Sequence, residues 1–430
     1  MGYENVAAGE ASVVQAGEEN LSVKEDSSFI ERVGKLYSTR GPELNLDGTL
    51  RGWLALGVLW FLLGVALAPS SKPYNQILIV LFWIPALILC FREREAYGNL
   101  FAAAKPLIAG LTLIFLWAGV SLLWAENIDP FRELKRLVYV ALFLFGLAFV
   151  ARDNVDRLVL ILRVAGIGLA VAALVSLISF YGIKGLPLTT RLEGTGLLDH
   201  PIIGGYLIAI SLLWLSSIPP VSRAARAGWL ACLVLLFVYA VMTQSRGLWT
   251  ALLGAQLGFA MLQGGVVVWI ASVAMVAFAG LGFWQFESII LERGTSYRPE
   301  IFFESVRMML DRPIGGLGLG TEYDVVVEEW VFPHSHNLFL HVGLELGAVG
   351  LLIWLWIWGC CLKVGWHHRK TPCGSALLKI MLFCSIALMF DGNSLWTAPR
   401  PDWFFSWLPL GLALAIVVSA RDGSKSLSGR

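Results

Sequence analysis

The chain has 430 residues, of which 57% are hydrophobic and only 15% are charged. Soluble domains carry about 25% charged residues, so the composition excludes an ordinary soluble protein and indicates a polytopic membrane protein. The formal net charge of +1 gives no electrostatic basis for a nucleic-acid partner, and membrane lipids are the expected surroundings.

The first segment, residues 1–50, is polar and rich in Glu, Ser and Gly, which predicts a flexible tail. Apolar runs follow from residue 51 onward, and a membrane-spanning helix needs roughly 20 such residues, which gives about twelve candidate spans. The runs lie at residues 52–68, 76–91, 107–124, 136–150, 158–181, 202–218, 228–243, 247–263, 266–286, 337–362, 375–392 and 403–420.

Together with the first tail at residues 1–50, these runs divide the chain into five parts. Spans 1–9 occupy residues 51–286, a polar loop occupies residues 287–336, spans 10–12 occupy residues 337–420, and a second tail occupies residues 421–430. In the loop, apolar residues at helical spacing between Pro299 and Pro313 predict a short interfacial helix. The predicted fold class is therefore an all-α polytopic membrane protein with a loop subdomain between spans 9 and 10.

Basic residues in short loops predict the orientation. An even number of spans puts both tails on one side, and the cations of those loops and tails make that side cytoplasmic. The opposite, periplasmic side also carries arginines, which work against insertion unless they have another purpose. Arg191, Arg246 and Arg298 suit the oxygens of an anionic ligand, because a guanidinium presents five donors in a rigid fork. The alternative is that these side chains extend to lipid headgroups.

His334 and His336 form an H-x-H pair at the entrance to the tenth span. No third metal ligand lies close in the sequence, and catalytic zinc sites use three protein ligands, so we predict no metal. A general base is the better use for His336, because an imidazole accepts a proton near neutral pH. The alternative is a histidine that only caps the helix start.

Several other polar residues on the predicted periplasmic side are candidates to assist. Ionisable groups in or beside membrane spans are functional candidates by default, although Glu345 and Asp391 could equally serve packing. The supporting candidates are Arg136, His334, Asn337, Glu345, Asp391 and Arg400.

Four motifs together resemble the bacterial O-antigen ligase family, in a superfamily with O-antigen polymerases and O-linked oligosaccharyltransferases. His336-Asn337, nine residues and Gly347-x-x-Gly350 resemble its H-[NSQ]-x9-G-x-x-G pattern. The others are Ser245-Arg246-Gly247, then Arg298 followed by the P-x-x-G-x-G loop at 313–318, and Arg191 with Gly194-Thr195. The chain departs from the family at Asp199-His200-Pro201, where relatives often carry Pro-Asn.

The resemblance implies a helical, GT-C-like glycosyltransferase of the bacterial inner membrane with a periplasmic active site and no cofactor. It implies transfer of O-antigen glycan from an undecaprenyl-pyrophosphate donor to a hydroxyl of the lipid A-core acceptor, in lipopolysaccharide biosynthesis. His336 would be the base, and Arg191, Arg246 and Arg298 would bind pyrophosphate. An O-antigen polymerase or a protein O-oligosaccharyltransferase shares the donor chemistry. The alternative from another class is a secondary transporter of anionic or lipid-linked substrates, which broken helices and inverted repeats would support.

Overall fold

A computed structural model describes residues 46–152, 154–285, 296–392 and 394–428. Within these ranges the chain is almost entirely helical, with one two-stranded sheet. The helices are α1 Leu46–Leu67, α2 Ser71–Arg92, α3 Arg94–Ala103, α4 Lys105–Ser121, α5 Pro130–Ala151, α6 Val155–Ile183, α7 Pro201–Ser216, α8 Arg223–Met242, α9 Arg246–Gln263, α10 Val266–Gln285, α11 Arg298–Asp311, α12 Leu338–His367, α13 Pro372–Ala387 and α14 Trp407–Ser428.

The helices agree with a polytopic membrane protein. Among the described residues, seven helical segments are long and apolar enough to cross a membrane, and four further apolar helices are shorter. Every predicted apolar run coincides with a helix, while the number of spans stays a prediction. Residues 1–45 of the predicted tail lie outside the described ranges. The first helix begins at Leu46, inside the segment predicted as tail, and α14 continues to Ser428, past the predicted end of the last span.

The core of the bundle is built from aromatic rings and small residues. The Phe61 ring packs on the rings of Phe143 and Phe404 at centroid distances of 4.7 and 4.9 Å. Gly146 makes room for a neighbouring ring, because a Cβ there would lie 2.7 Å from the ring of Phe82. Small residues at helix contacts are typical of membrane proteins, in which van der Waals packing drives helix association.

The loop before α12 carries secondary structure. It contains α11, with Pro299 in its first turn, and an antiparallel hairpin of β1 (Val325–Val327) and β2 (Trp330–Phe332). Ile301 of the helix is buried with the valines of β1 in a small separate hydrophobic cluster. The hairpin is the one departure from the predicted all-α class in the described part of the chain. Its run of valines has high β-propensity, but the Glu328-Glu329 turn lacks the glycine or asparagine that marks most hairpins.

Three helix ends meet at one end of the bundle and carry the candidate site. The amide of Leu338, at the start of α12, donates to the carbonyl of Leu388 just after α13, at 2.9 Å. The start of α9 reaches the same place, because a Cβ on Gly247 would lie 3.0 Å from the Cβ of Phe390. The first turns of α9 and α12 therefore surround the segment that follows α13.

Candidate functional site

His336 lies directly outside the first turn of α12. The side chain of Asn337 caps that helix and accepts hydrogen bonds from the amides of Phe339 and Leu340 at 3.0 and 3.1 Å. An asparagine cap contributes about 1 kcal/mol. The alternative that His336 serves as the cap is therefore wrong. His336 itself has a left-handed backbone with φ +49°, which is uncommon for a residue other than glycine and is a kind of strain that clusters at active sites.

His336 is paired with Asp391. The Nδ1 atom of His336 lies 3.3 Å from Oδ1 of Asp391, and both side chains are only partly exposed. Burial raises the pKa of Asp391, but the hydrogen bond and charge of His336, followed by the charges of Arg298 and His334, hold it below its ordinary value. The carboxylate is thus ionised at neutral pH. An Nδ1 held by a carboxylate leaves Nε2 as the nitrogen that can accept a proton.

His334 lies against His336, with ring centroids 4.1 Å apart. Burial, followed by the charge of His336, lowers the pKa of His334 to about 4, and Asp391 offsets this only in part. His334 is therefore neutral at neutral pH. One potential ligand atom from each of His334, His336 and Asp391 lies within 4.8 Å of the others, so these residues could hold a metal ion. The third potential ligand, Asp391, was not apparent from the sequence because it lies 55 residues after His336.

Arg191, in the loop between α6 and α7, lies against the turn between α8 and α9. Its Nε donates to the carbonyl of Thr243 at 2.9 Å, and the amide of Leu192 donates to the carbonyl of Met242 at 2.9 Å. Gln244, which follows Thr243 in the turn, has a left-handed φ of +49° and donates from Nε2 to the carbonyl of Leu188 at 3.2 Å. The loop that carries Arg191 is thereby fixed against the Ser245-Arg246-Gly247 motif.

Arg246 and Arg298 continue this series of contacts. Nη2 of Arg246 lies 3.4 Å from Oγ of Ser296, two residues before Arg298 at the start of α11. Arg298 is close enough to Asp391 for its charge to lower the pKa of that carboxyl group. The structure thus links the three arginines predicted to bind pyrophosphate to the His336–Asp391 pair.

The two glycine motifs form a single structural unit. Gly347 interrupts α12 with φ +66° and ψ −172°, a conformation essentially restricted to glycine. The loop at 313–320 fills the break: the amides of Leu317 and Gly318 donate to the carbonyls of Leu344 and Glu345, and the amide of Ala348 donates to the carbonyl of Pro313. These bonds satisfy backbone groups that the broken helix leaves open.

Glu345 secures the same loop and does not reach His336. Its Oε1 accepts from the amide of Gly320 at 2.8 Å, and its Oε2 lies 3.5 Å from Nε2 of His341. Nδ1 of His341 is in turn 2.8 Å from the hydroxyl of Tyr323. Of the two acidic candidates, Asp391 orients the predicted base, whereas Glu345 holds the loop.

The remaining predicted residues occupy two positions. Arg400 forms an ion pair with the buried Asp402, and its charge helps to lower the pKa of His334. Arg136 lies on α5, where its Nη1 donates to both oxygens of the buried Glu133 at 2.7 and 2.8 Å. The structure therefore brings Arg400 to the histidines and gives Arg136 a separate ion pair.

Sequence analysis gave no role to two further groups. His200, at the position that departs from the family motif, caps α7: its Nδ1 accepts from the amide of Ile203 at 3.3 Å. Arg132 and Lys135 lie on the same helix as Arg136 and line a common cavity with it. The available signal was their helical spacing at the start of an apolar run.

The fold and the site define a helical polytopic membrane protein with a His–Asp pair beside several arginines. Residues 211–355 match the family model described as O-antigen ligase. The chain is also 27% identical over 376 residues to an O-antigen ligase from Pseudomonas aeruginosa (strain PAO1), a match that covers 86% of this chain and 90% of that protein. These two findings confirm the resemblance to the O-antigen ligase family.

Proposed function

We propose that this protein is an O-antigen ligase of the inner membrane. In this proposal it transfers O-antigen glycan from undecaprenyl pyrophosphate to a sugar hydroxyl of lipid A-core, with its active site facing the periplasm and both termini in the cytoplasm. The observation that carries the proposal is the set of contacts that joins His336 and Asp391 to Arg298, Arg246 and Arg191. A base beside several guanidinium groups suits transfer from a pyrophosphate donor.

The arginines would bind the donor and stabilise the leaving group. As the bond between the anomeric carbon and the pyrophosphate oxygen breaks, negative charge develops on that oxygen. Arg191 and Arg246 already have hydrogen-bond partners, and Arg298 is placed by the first turn of α11, so their guanidinium groups can meet this charge with little reorganisation. This arrangement supplies the stabilisation that a metal ion gives in other phosphate chemistry.

His336 would activate the acceptor. Its Nε2 takes the proton of the attacking hydroxyl while that oxygen forms the bond to the anomeric carbon, and Asp391 stabilises the imidazolium that results. The proton then leaves to water, and undecaprenyl pyrophosphate is released. Because the hydroxyl attacks directly, this one-step displacement inverts the anomeric configuration.

The test uses the full chain in lipid nanodiscs with purified lipid-linked glycan and a defined lipid A-core acceptor. We expect His336→Ala to lower the transfer rate by about 10²- to 10⁴-fold, the usual contribution of a positioned base. His367→Ala is the matched control, because it removes a histidine from the opposite end of the same helix and should transfer at the wild-type rate. Wild-type transfer by His336→Ala would refute the assignment of the base.

Two further readouts test the rest of the proposal. A chelator should leave the rate unchanged, and a loss of activity restored by a divalent cation would show that transfer needs a metal, for which His334, His336 and Asp391 are the candidate ligands. Analysis of which molecule gains the glycan identifies the acceptor. Transfer to another lipid-linked glycan would indicate a polymerase, and transfer to protein would indicate an oligosaccharyltransferase.

A further inference from the structure

A cationic cavity lies on α5, apart from the arginines assigned to the donor. It has a volume of about 270 Å³ and is lined by Arg132, Lys135 and Arg136, by the rings of Trp83 and Tyr139, and by residues 398–399. Sites for drug-sized ligands occupy about 300–1,000 Å³, so this cavity suits one small group and not a whole glycan.

The charges in the cavity are held in place and are not fully neutralised. Glu133 is completely buried, and it receives bonds from Arg136 at 2.7 Å and from Arg132 at 3.2 Å. One carboxylate thus orients two guanidinium groups, whose other N–H donors remain available, and the exposed Lys135 adds a third cation. Asp129 caps the helix and lies one turn away, where its carboxylate is occupied by the amides of Phe131 and Arg132.

The aromatic wall gives the cavity a second chemical character. The rings of Trp83 and Tyr139 are stacked, with centroids 5.4 Å apart and planes 16° from parallel. Such rings supply a large, rigid apolar face. A ligand that meets both the cations and this wall carries an anionic group on a body with an apolar face, as a phosphorylated sugar does.

The cavity adjoins the proposed active site through two segments. Residues 398–399 of its wall directly precede Arg400, whose charge acts on His334. Behind the cavity, Gly320 of the loop that fills the break in α12 contacts Glu133, because a Cβ on Gly320 would lie 2.8 Å from Cδ of that side chain. A ligand in the cavity is therefore one short segment away from His334 and His336.

We infer that this cavity binds a phosphate group of the sugar acceptor and so directs the acceptor hydroxyl toward His336. The inference rests on the proposed function and adds to it a separate acceptor subsite. The acceptor is favoured over the donor because the proposed function assigns the donor pyrophosphate to Arg191, Arg246 and Arg298. Arg191 contacts Thr243 beside α9, and Arg246 contacts Ser296 beside the start of α11.

The test replaces the two exposed cations and keeps the ion pair of Arg136 with Glu133. We expect Arg132→Gln/Lys135→Gln to raise the KM for a phosphorylated lipid A-core acceptor about tenfold, since hydrogen bonds to charged groups typically contribute that much or more. The rate at saturating acceptor and the KM for the donor should stay near wild-type values. Lys184→Gln, which removes an exposed cation elsewhere on the predicted periplasmic side, is the matched control and should leave both KM values unchanged.

A dephosphorylated acceptor identifies the group that is bound. The wild-type chain should show the raised KM with this acceptor, and the double variant should show no further change. Equal KM values of the wild type for both acceptors would overturn the inference, as would a double variant in which only donor KM changes. If the effect of the substitutions disappears when anionic phosphatidylglycerol is replaced by a zwitterionic lipid, the cavity binds a lipid headgroup and the inference is wrong.

Direct binding separates this inference from the proposed function. The affinity of the phosphorylated and dephosphorylated acceptors is measured in nanodiscs without donor, so that no transfer is needed. A difference of about tenfold that the double variant abolishes would support the cavity even if the wild type transferred glycan to another acceptor. Equal affinities would refute the binding of an acceptor phosphate in this cavity, whatever the outcome of the transfer assay.

Discussion

Arg246 begins α9 directly before Gly247, whose missing side chain lets the helix start approach Phe390. The arginine is therefore held by its backbone next to the segment that carries Asp391. Its guanidinium can then present a fork of donors to phosphate oxygens, which a lysine ammonium cannot reproduce. A role that needed only positive charge near lipid headgroups would tolerate either residue.

We expect Arg246→Lys to reduce glycan transfer between about 10- and 100-fold, the loss of one or two charge-assisted hydrogen bonds. The measurement is the transfer rate at fixed donor concentration in nanodiscs. Arg226→Lys is the control, because Arg226 lies in the first turn of α8, on the predicted cytoplasmic side. An unchanged rate for Arg246→Lys would show that Arg246 serves the membrane surface and not the donor.

His334 predicts how stability depends on pH. Burial lowers its pKa to about 4 in the folded protein, so the unfolded chain takes up the proton first. The free energy of unfolding therefore decreases as pH falls from about 6.5 to about 4, because over this range the proton binds to the unfolded chain and not to the folded one. The pKa of Asp391 is also lowered, but its contribution is lost only in the lower range where carboxylates protonate.

We expect His334→Gln to have a smaller fall in Tm than the wild type between about pH 7 and pH 5, since it lacks the group that titrates there. Thermal unfolding in detergent, followed by a thiol-independent fluorescence signal, measures this fall. The exposed His367 gives the control substitution His367→Gln, for which the fall should match that of the wild type. An equal fall in all three proteins would contradict the buried, neutral state of His334.

At the scale of elements, the break in α12 shows what the sequence could and could not predict. Each helix follows from a continuous apolar run, which is a local property, so all of the runs were recognisable. The glycines at 316, 318 and 320 have positive φ, a conformation that favours glycine. Their purpose was not recognisable, because the loop fills a gap at Gly347 that appears only when distant segments pack.

The same reasoning applies to the site. His336 and the three arginines could be chosen as candidates because they carry chemistry on the predicted periplasmic side. Asp391 was recognisable only as an ionisable group near a span end, since its pairing with His336 joins residues 55 positions apart. Arg132 and Lys135 resembled ordinary cations before a span, and only the wall formed by Trp83 and by residues 398–399 makes them part of a cavity.

Gly347→Ala tests the fit between α12 and the loop. A Cβ there would lie 2.1 Å from the carbonyl oxygen of Ile314, and the backbone conformation alone disfavours alanine by about 1–3 kcal/mol. We expect a clear fall in Tm and faster proteolysis of the loop at 313–320. Gly359→Ala on the same helix is the control: nothing lies within 4 Å of a Cβ there, so Tm should stay the same or rise. Similar Tm values for both variants would contradict the docked loop.

At the scale of the whole molecule, the candidate site and His367 lie at opposite ends of α12. The site lies at its first residue, and thirty residues with the break at Gly347 separate it from His367. At about 1.5 Å per helical residue, this number of residues suffices to cross the hydrocarbon core of a bilayer, which is about 30 Å thick. Among the cations predicted to be cytoplasmic, Arg51 and Arg152 both pair with the buried Glu93, at 2.5 and 2.6 Å. Arg51 and Arg152, which are both predicted on the cytoplasmic side, are therefore close together in the structure.

This arrangement predicts which surface of the membrane exposes the site. We expect Glu329→Cys, in the exposed turn of the hairpin, to react with a membrane-impermeant maleimide in intact spheroplasts. Lys370→Cys, in the exposed loop between α12 and α13, should react only after the membrane is permeabilised. The parent chain measures the background from its own cysteines, which are buried or partly buried. Labelling of Lys370→Cys alone in intact cells would place His336 in the cytoplasm, where the proposed acceptor hydroxyl could not meet it.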